Sequence, residues 1–254
     1  MSALIPYFGG KTRLAKTIID QIPEHLCYVE VFAGAAAVFF GKEPSKTEII
    51  NDLDRELVTL YRAVQNHPEE LHRMFKYTLV AREEFNRLMR AEPDTLTDIQ
   101  RAARYLYLQR TCYGGRVHQR TFGTITTGRP RLNLFTLEAV LEEAWRRLAQ
   151  VIIECMDFRE LIPRYDRPHT FFYLDPPYWD IIGYEHNFVE QDFVDLAKVL
   201  ADIRGHFLMS INDTPEVREI FSRFNIQEVA LKYSMGRATG SRNKLRTELL
   251  ISNP

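Results

Sequence analysis

The sequence predicts an α/β fold carrying a helical insertion, and three observations predict it. Apolar runs of strand character near residues 27–32, 49–52 and 171–175 each stop abruptly on a small or acidic residue. Stretches of helical periodicity follow them, the alternation expected of an α/β sheet. Between the second and third runs lies a long helical and basic segment of different composition. At 254 residues the chain can hold one large α/β domain with an insertion, or two modest domains.

The chain opens on Ile5-Pro6-Tyr7-Phe8-Gly9-Gly10-Lys11, where paired glycines allow close backbone approach and Lys11 leads into a helix expected over 12–21. A phosphate-binding loop needs a further upstream glycine and a preceding strand, so these residues read equally as a turn with a surface lysine. Cys27–Phe32 then reads as a buried strand, Ala33-Gly34-Ala35 as a turn small enough for a ligand to lie against its backbone, and the following residues as a helix start. The absence of a full Gly-x-Gly-x-x-Gly disfavours a nicotinamide cofactor; a plain strand–turn–helix core is the alternative. Ile49–Asp52 is a second short strand, and its acidic end suits a ribose diol, because one carboxylate accepts from both hydroxyls. Asp52 is assigned that role and Asp54 the cap of a helix over 56–66.

Residues 67–150 read as a separate module. Helical periodicity runs through 71–79, 84–90, 98–109 and 136–150. Between Arg101 and Arg131 there are seven arginines and no acid, whereas 180–202 carries six acids, so a net charge of only −1 conceals strong segregation. Glycines at 114, 115, 123 and 128 suggest a hairpin over 110–135 displaying Arg110, Tyr113, Arg116, His118, Arg120 and Arg129. Arginines contact phosphates and guanine edges, and aromatics wedge between bases; a solvated basic face is the bland alternative.

After a strand at 151–154, Asp157-Phe158 offers an acceptor and an aromatic at a strand end, and Asp157 serves equally as a helix cap. The most informative stretch is Phe171-Phe172-Tyr173-Leu174-Asp175-Pro176-Pro177-Tyr178. Two prolines cannot continue a ladder, so the strand stops at Asp175 and leaves a stiff loop. That loop presents a carboxylate, a rigid carbonyl and an aromatic face, which together suit a planar group bearing an exocyclic NH2. The aromatic segment 179–187, with Tyr184, is expected to close over substrate. A helix over 193–204, a strand over 207–212, a helix over 217–224 and two strands at 228–233 and 248–252 complete the chain. The last two are joined by a basic connector holding Arg237, Arg242 and Lys244, suited to DNA phosphates.

Asp175-Pro176-Pro177-Tyr178 resembles the catalytic motif of amino-group methyltransferases that use S-adenosylmethionine. In the order Gly9-Gly10-Lys11, Phe32-Ala33-Gly34-Ala35, Asn51-Asp52, basic insertion, Asp-Pro-Pro-Tyr, and a closing Glu248-Leu-Leu-Ile-Ser-Asn253, nearly the whole chain is similar to Dam-type (D12 class, alpha group) DNA adenine-N6 methyltransferases. The resemblance implies a Rossmann-like, mainly parallel seven-stranded core from 1–55 and 151–254, with a target-recognition insertion at 56–150. It implies transfer from S-adenosyl-L-methionine to N6 of a flipped adenine in double-stranded DNA. Asp175, Pro176, Pro177 and Tyr178 would be catalytic, and Tyr7, Phe8, Lys11, Glu30, Phe32, Gly34, Asp52, Asp157, Phe158 and Asp175 would line the cofactor pocket. Cys112-Tyr113-Gly114-Gly115 stands where the family has Cys-Tyr-Asn-Gly, which argues against a GATC target. Cytosine-N4 methylation and a catalytically silent DNA-binding role are the alternatives.

Three scattered cysteines, Cys27, Cys112 and Cys155, fit reduced thiols, and neither they nor the histidines make a metal cluster. With no apolar run of about 18 residues and no signal-like start, the expectation is a cytoplasmic, nucleoid-associated enzyme, metal-free, off the membrane, and a monomer or weak dimer.

Overall fold

The computed structural model describes residues 3–7, 9–11, 14–181, 186–232 and 245–253. Phe8, Tyr184, Arg237, Arg242 and Lys244 lie outside them. In chain order the elements are α1 (Ala15–Ile19), β1 (Cys27–Glu30), α2 (Ala37–Gly41), β2 (Thr47–Asn51), α3 (Arg55–Asn66), α4 (Pro68–Arg73), α5 (Arg82–Arg90), α6 (Asp98–Thr111) and α7 (Leu134–Leu148). There follow β3 (Ile152–Glu154), α8 (Phe158–Tyr165), β4 (Thr170–Leu174), α9 (Glu190–Ala201), β5 (His206–Asn212), α10 (Pro215–Ile220), β6 (Asn225–Lys232) and β7 (Leu245–Ser252).

The seven strands form one sheet in the order β3-β2-β1-β4-β5-β7-β6. The β1–β2, β1–β4, β2–β3 and β4–β5 pairs are parallel, and β7 runs antiparallel to both β5 and β6. From β1 the chain steps outward one way to β2 and β3, and from β4 the other way to β5. The β1/β4 boundary is therefore the switch point, where strand ends splay and an open α/β sheet binds its ligand.

Strand alternation sorts the core into two layers. Tyr28, Phe171 and Tyr173 face α1, α2, α3, α6 and α7; Val29, Phe172 and Leu174 face α8, α9 and α10, against Phe158, Phe193 and Val217. The insertion helices thus share an apolar core with one face of the sheet: Leu57, Leu60 and Tyr61 of α3, Leu106 of α6 and Leu141 of α7 join the same cluster as Tyr28.

Helix starts follow their capping chemistry. Asp54 accepts from the amides of Glu56 and Leu57 and opens α3, Thr97 and Gln100 make a reciprocal box on α6, and Asn133 caps α7. The hairpin expected over 110–135 is reduced to one antiparallel bridge, Cys112 to Phe122. Past the bridge the chain enters a tight turn at Tyr113–Gly115 with Gly114 and Gly115 at positive φ, so no second rung can form. Gly115 is there for a separate reason: a Cβ on it would lie 2.9 Å from the Tyr7 amide nitrogen. Gln109, fully buried, seals this contact by donating to the carbonyls of both Pro6 and Gly115 at 2.8 Å.

Candidate active site

A cleft opens at the carboxyl ends of β1, β2 and β4. Tyr7, Lys11, Glu30, Phe32, Gly34, Asp52, Phe158, Asp175 and Pro177 all line it, although they come from five separate stretches of sequence.

One wall is the turn after β1. Gly34 has φ +47, and a Cβ there would meet the Tyr7 ring at 3.2 Å, so only glycine lets ring and turn close together. The turn is fixed from two sides: the Gly34 amide donates to Asp52 Oδ2 at 2.9 Å, and the Tyr61 hydroxyl donates to the Gly34 carbonyl at 2.6 Å. Asp52 takes a second amide, that of Asp54, on Oδ1 at 2.9 Å, which leaves each oxygen a further lone pair. Burial, with Asp54 adding to it, pushes the Asp52 carboxyl up to about 6. Beneath the turn, the Asn51 side chain donates to the carbonyls of Val31 and Met156 and accepts from the Met156 amide. One amide group thereby ties together the exits of β1, β2 and β3.

Glu30 is 2% exposed and accepts on Oε2 from the Tyr28 hydroxyl (2.6 Å) and the Phe39 amide (2.9 Å). Desolvation outweighs these bonds and raises its carboxyl to about 8, so it is protonated at neutral pH. At the other end of the cleft Phe32, Phe158 and Phe188 form a triangle of rings with centroids 5.5 to 6.1 Å apart.

Asp175 follows the last residue of β4 and its side chain remains about one-fifth exposed. Lys11, itself nearly buried, donates to Asp175 Oδ1 at 2.6 Å and to the Tyr178 hydroxyl at 2.6 Å. That hydroxyl donates onward to Glu248 Oε1 on β7 at 2.7 Å. Desolvation raises the Asp175 carboxyl to about 6, with Lys11 pulling down and Glu248 pushing up. Pro176 is buried, and the loop beyond the prolines is pinned by Asn212, which accepts from the Trp179 amide (2.9 Å) and donates to the Trp179 carbonyl (3.1 Å).

Asp157 stands apart from this set. Its carboxylate accepts from the Arg159 amide as the cap of α8 and pairs with the Arg159 guanidinium, while its neighbours Met156 and Phe158 line the cleft. The capping alternative is the one observed. Tyr61 and Phe188 are site residues outside the quoted motifs, while Asn51 and Glu248 stand within them without an assigned role. Of the first two, Phe188 has a local signal, because it adjoins the aromatic segment expected to close over substrate.

The arginines of the insertion divide. Arg101 pairs with Glu56 and Asp94, and Arg104 donates to the Leu88 carbonyl and pairs with Glu56. Arg110 donates to the Leu4 carbonyl at 2.5 Å, and Arg120 bonds Gln109 while lying over the Tyr105 ring. Arg110 and Arg120 were expected at the DNA surface; they are turned inward instead, because the N-terminal segment and α6 offer them acceptors. Tyr113, Arg116, His118, Arg129 and Arg131 are exposed. Tyr113, Arg131, Arg82 and the half-buried Arg110, with Phe122 and Ile125, border a second cleft.

Comparison with known proteins gives the same direction. A type II methyltransferase, M.CviBI, of Paramecium bursaria Chlorella virus NC1A is 28% identical over 92% of this chain and 91% of its own. M.MjaIII of Methanocaldococcus jannaschii is 28% identical over 98% of both chains. The DNA adenine methylase of Escherichia coli K12 is 26% identical over 99% of this chain and 95% of its own. Nothing in these matches favours the cytosine-N4 alternative. The family model for D12 class N6 adenine-specific DNA methyltransferases matches residues 7–235, and with the 3-2-1-4-5-7-6 sheet and its switch-point cleft this makes the chain a member of that family.

Proposed function

We propose that Asp175, the Pro176 carbonyl and Tyr178 hold the N6 amino group of an adenine extruded from duplex DNA, beside S-adenosylmethionine bound in the switch-point cleft. The observation that carries this is the convergence of Asp175 with Phe32, Gly34 and Asp52 on one cleft. The residues present fit the cofactor's chemistry. Asp52 keeps lone pairs for a ribose diol, the Phe32–Phe158–Phe188 end suits a purine ring, and the Asp175 carboxyl suits the cationic end. Bound there, the cofactor would supply an electrophilic methyl group on a sulfonium, to which N6 would bond as the C–S electron pair stays with sulfur and one N6 proton is released.

The protein's own part is positioning and electrostatics. Adenine N6 is inaccessible inside a duplex, so the base must flip, at a cost of a few kcal/mol for unstacking. Asp175 accepts one N–H and the Pro176 carbonyl the other, which turns the nitrogen lone pair outward. Tyr178, its hydroxyl anchored, offers a ring face to the base. The rigid Pro-Pro loop and its Asn212 clamp keep these groups fixed without ordering cost at the moment of reaction. The core of 1–55 and 151–254 carries the chemistry. The insertion of 56–150 reads DNA, with Tyr113, Arg116, His118 and Arg129 facing solvent and the connector carrying Arg237, Arg242 and Lys244 adding phosphate contacts. Acting on DNA, the enzyme works in the cytoplasm beside the nucleoid.

Asp175→Ala is expected to keep S-adenosylmethionine affinity within several-fold and to lower tritiated-methyl transfer into duplex DNA by at least about 10³-fold. Undiminished transfer by this variant defeats the assignment.

A further inference from the structure

The site places one ammonium between two carboxylates, and only one of those carboxylates has a role in the mechanism above. Glu248 is 3% exposed. Its Oε1 accepts the Tyr178 hydroxyl at 2.7 Å; its Oε2 is buried, has no hydrogen-bond partner among the described residues, and faces Lys11 Nζ at 3.9 Å. Burying a charge with half its acceptor capacity unused is costly, and a fold needing only an acceptor for a phenol could use a neutral amide there. A buried carboxyl with one oxygen unused therefore calls for a reason besides packing.

That reason lies in the charge count. The formal charges of Lys11, Asp175 and Glu248 sum to −1, whereas those of Lys11 and Asp175 alone sum to zero. As the new N–C bond forms, positive charge arrives on the substrate nitrogen, and fixed negative charge nearby stabilises it more than it stabilises the neutral amine. We propose that Glu248 is a positioning residue for methyl transfer, anchoring the Tyr178 ring through its hydroxyl and setting a second carboxylate 3.9 Å from Lys11, so that the ammonium bound to Asp175 does not by itself cancel the negative charge facing the amine. The inference rests on the roles given above to Asp175 and Tyr178.

The groups facing Asp175 are Lys11 from the N-terminal segment, Glu30 from β1, Tyr173 from β4, Ser210 from β5, Tyr178 from its own loop and Glu248 from β7. Glu248 is among those that push the Asp175 carboxyl upward. Neutralising it lets Asp175 ionise at lower pH while making it a weaker acceptor.

The test compares wild type, Glu248→Gln, Tyr178→Phe and Asp175→Ala. It measures single-turnover methylation of plasmid DNA from a methylation-deficient host between pH 5 and 8, with S-adenosylmethionine affinity and melting temperature in parallel. Glu248→Gln is expected to bind S-adenosylmethionine within about threefold of wild type and to methylate roughly 10- to 100-fold more slowly. Its acidic limb should move to lower pH. Tyr178→Phe, which cuts the link but keeps both charges, is expected to slow several-fold with its acidic limb unmoved. A wild-type rate and limb in Glu248→Gln overturns the proposal. So does a slower rate with an unmoved limb, since that is what loss of a merely structural acceptor produces. A wild-type rate in Tyr178→Phe overturns the anchoring half. An active Asp175→Ala instead defeats the underlying assignment and is read separately.

Discussion

The cleft and the segment 110–133 both gather charged residues at close quarters, yet the two regions use them in opposite ways. In the cleft, strand topology decides. A residue at or one step past the carboxyl end of a strand beside the switch point faces the cleft, and so Glu30, Asp52 and Asp175 meet across 145 positions of sequence. There burial alters their chemistry, raising all three carboxyl groups. In the basic segment no ladder fixes direction, and each arginine takes whichever acceptor the neighbouring backbone offers. Arg110 and Arg120 find theirs inside; Arg116 and Arg129 remain in solvent. Motif spacing is informative where the backbone dictates the side chain's destination, and charge counting is not where it does not.

The contrast is most exposed to Arg110→Ala. If Arg110 is structural, losing its bond to the Leu4 carbonyl costs about 2 to 3 kcal/mol. Melting should then fall by roughly 5 to 10 °C; a variant that melts normally but binds DNA poorly reverses the assignment. Next in size is the pH dependence carried by Glu30. Its carboxyl is raised in the folded state from 4.5 to about 8, so the folded protein holds a proton that the unfolded chain has released. That contribution to stability is complete at low pH and is lost as pH rises through the window up to about 8. Between pH 6 and 7, denaturant titrations should show wild type losing about 1.4 kcal/mol per pH unit relative to Glu30→Gln, with the slope flattening toward pH 8. Parallel pH profiles would remove burial as the feature that sets the cleft apart.

Asp52→Asn tests whether the strand-end carboxylate binds ligand. The amide oxygen still serves one backbone N–H, but acceptance from two hydroxyls is lost. Calorimetry should show S-adenosylmethionine binding weakened about 10-fold, on the order of 1 to 2 kcal/mol. The smallest effects belong to Arg116→Ala and Arg129→Ala. Each should leave melting unchanged, weaken duplex binding several-fold in low salt, and reduce the salt slope by about one. A destabilised Arg129→Ala would place that side chain with Arg110.

The fold and the centre of the site were legible because the informative residues are ones the backbone itself requires: Gly34 for its positive φ and nearness to Tyr7, Pro176 and Pro177 for stopping β4, Asp54 for capping α3. Asp157 shows the limit of this reasoning. Capping and ligand binding ask for the same side chain at the same strand end, and only the placement of Arg159 separates them. The hairpin is shorter than the glycines suggest, a single antiparallel bridge, because Gly115 is small for a second reason: Tyr7 packs on it. Glu248 was visible only within a closing motif. Nothing local distinguishes a strand glutamate that faces Lys11 from one that faces water, since its neighbour comes from the far end of the chain.

The position of β7 has a consequence for how the molecule is made. This strand slots between β5 and β6, both of which precede it in the chain, so β6 has no partner until β7 is available. A ribosome-bound chain halted before Glu248 would carry Asp175, the prolines and the small-residue turn, yet lack both the sheet's far border and the second carboxylate around Lys11. Completion of the sheet, and arrival of the second carboxylate beside Lys11, thus wait for the last strand to be made.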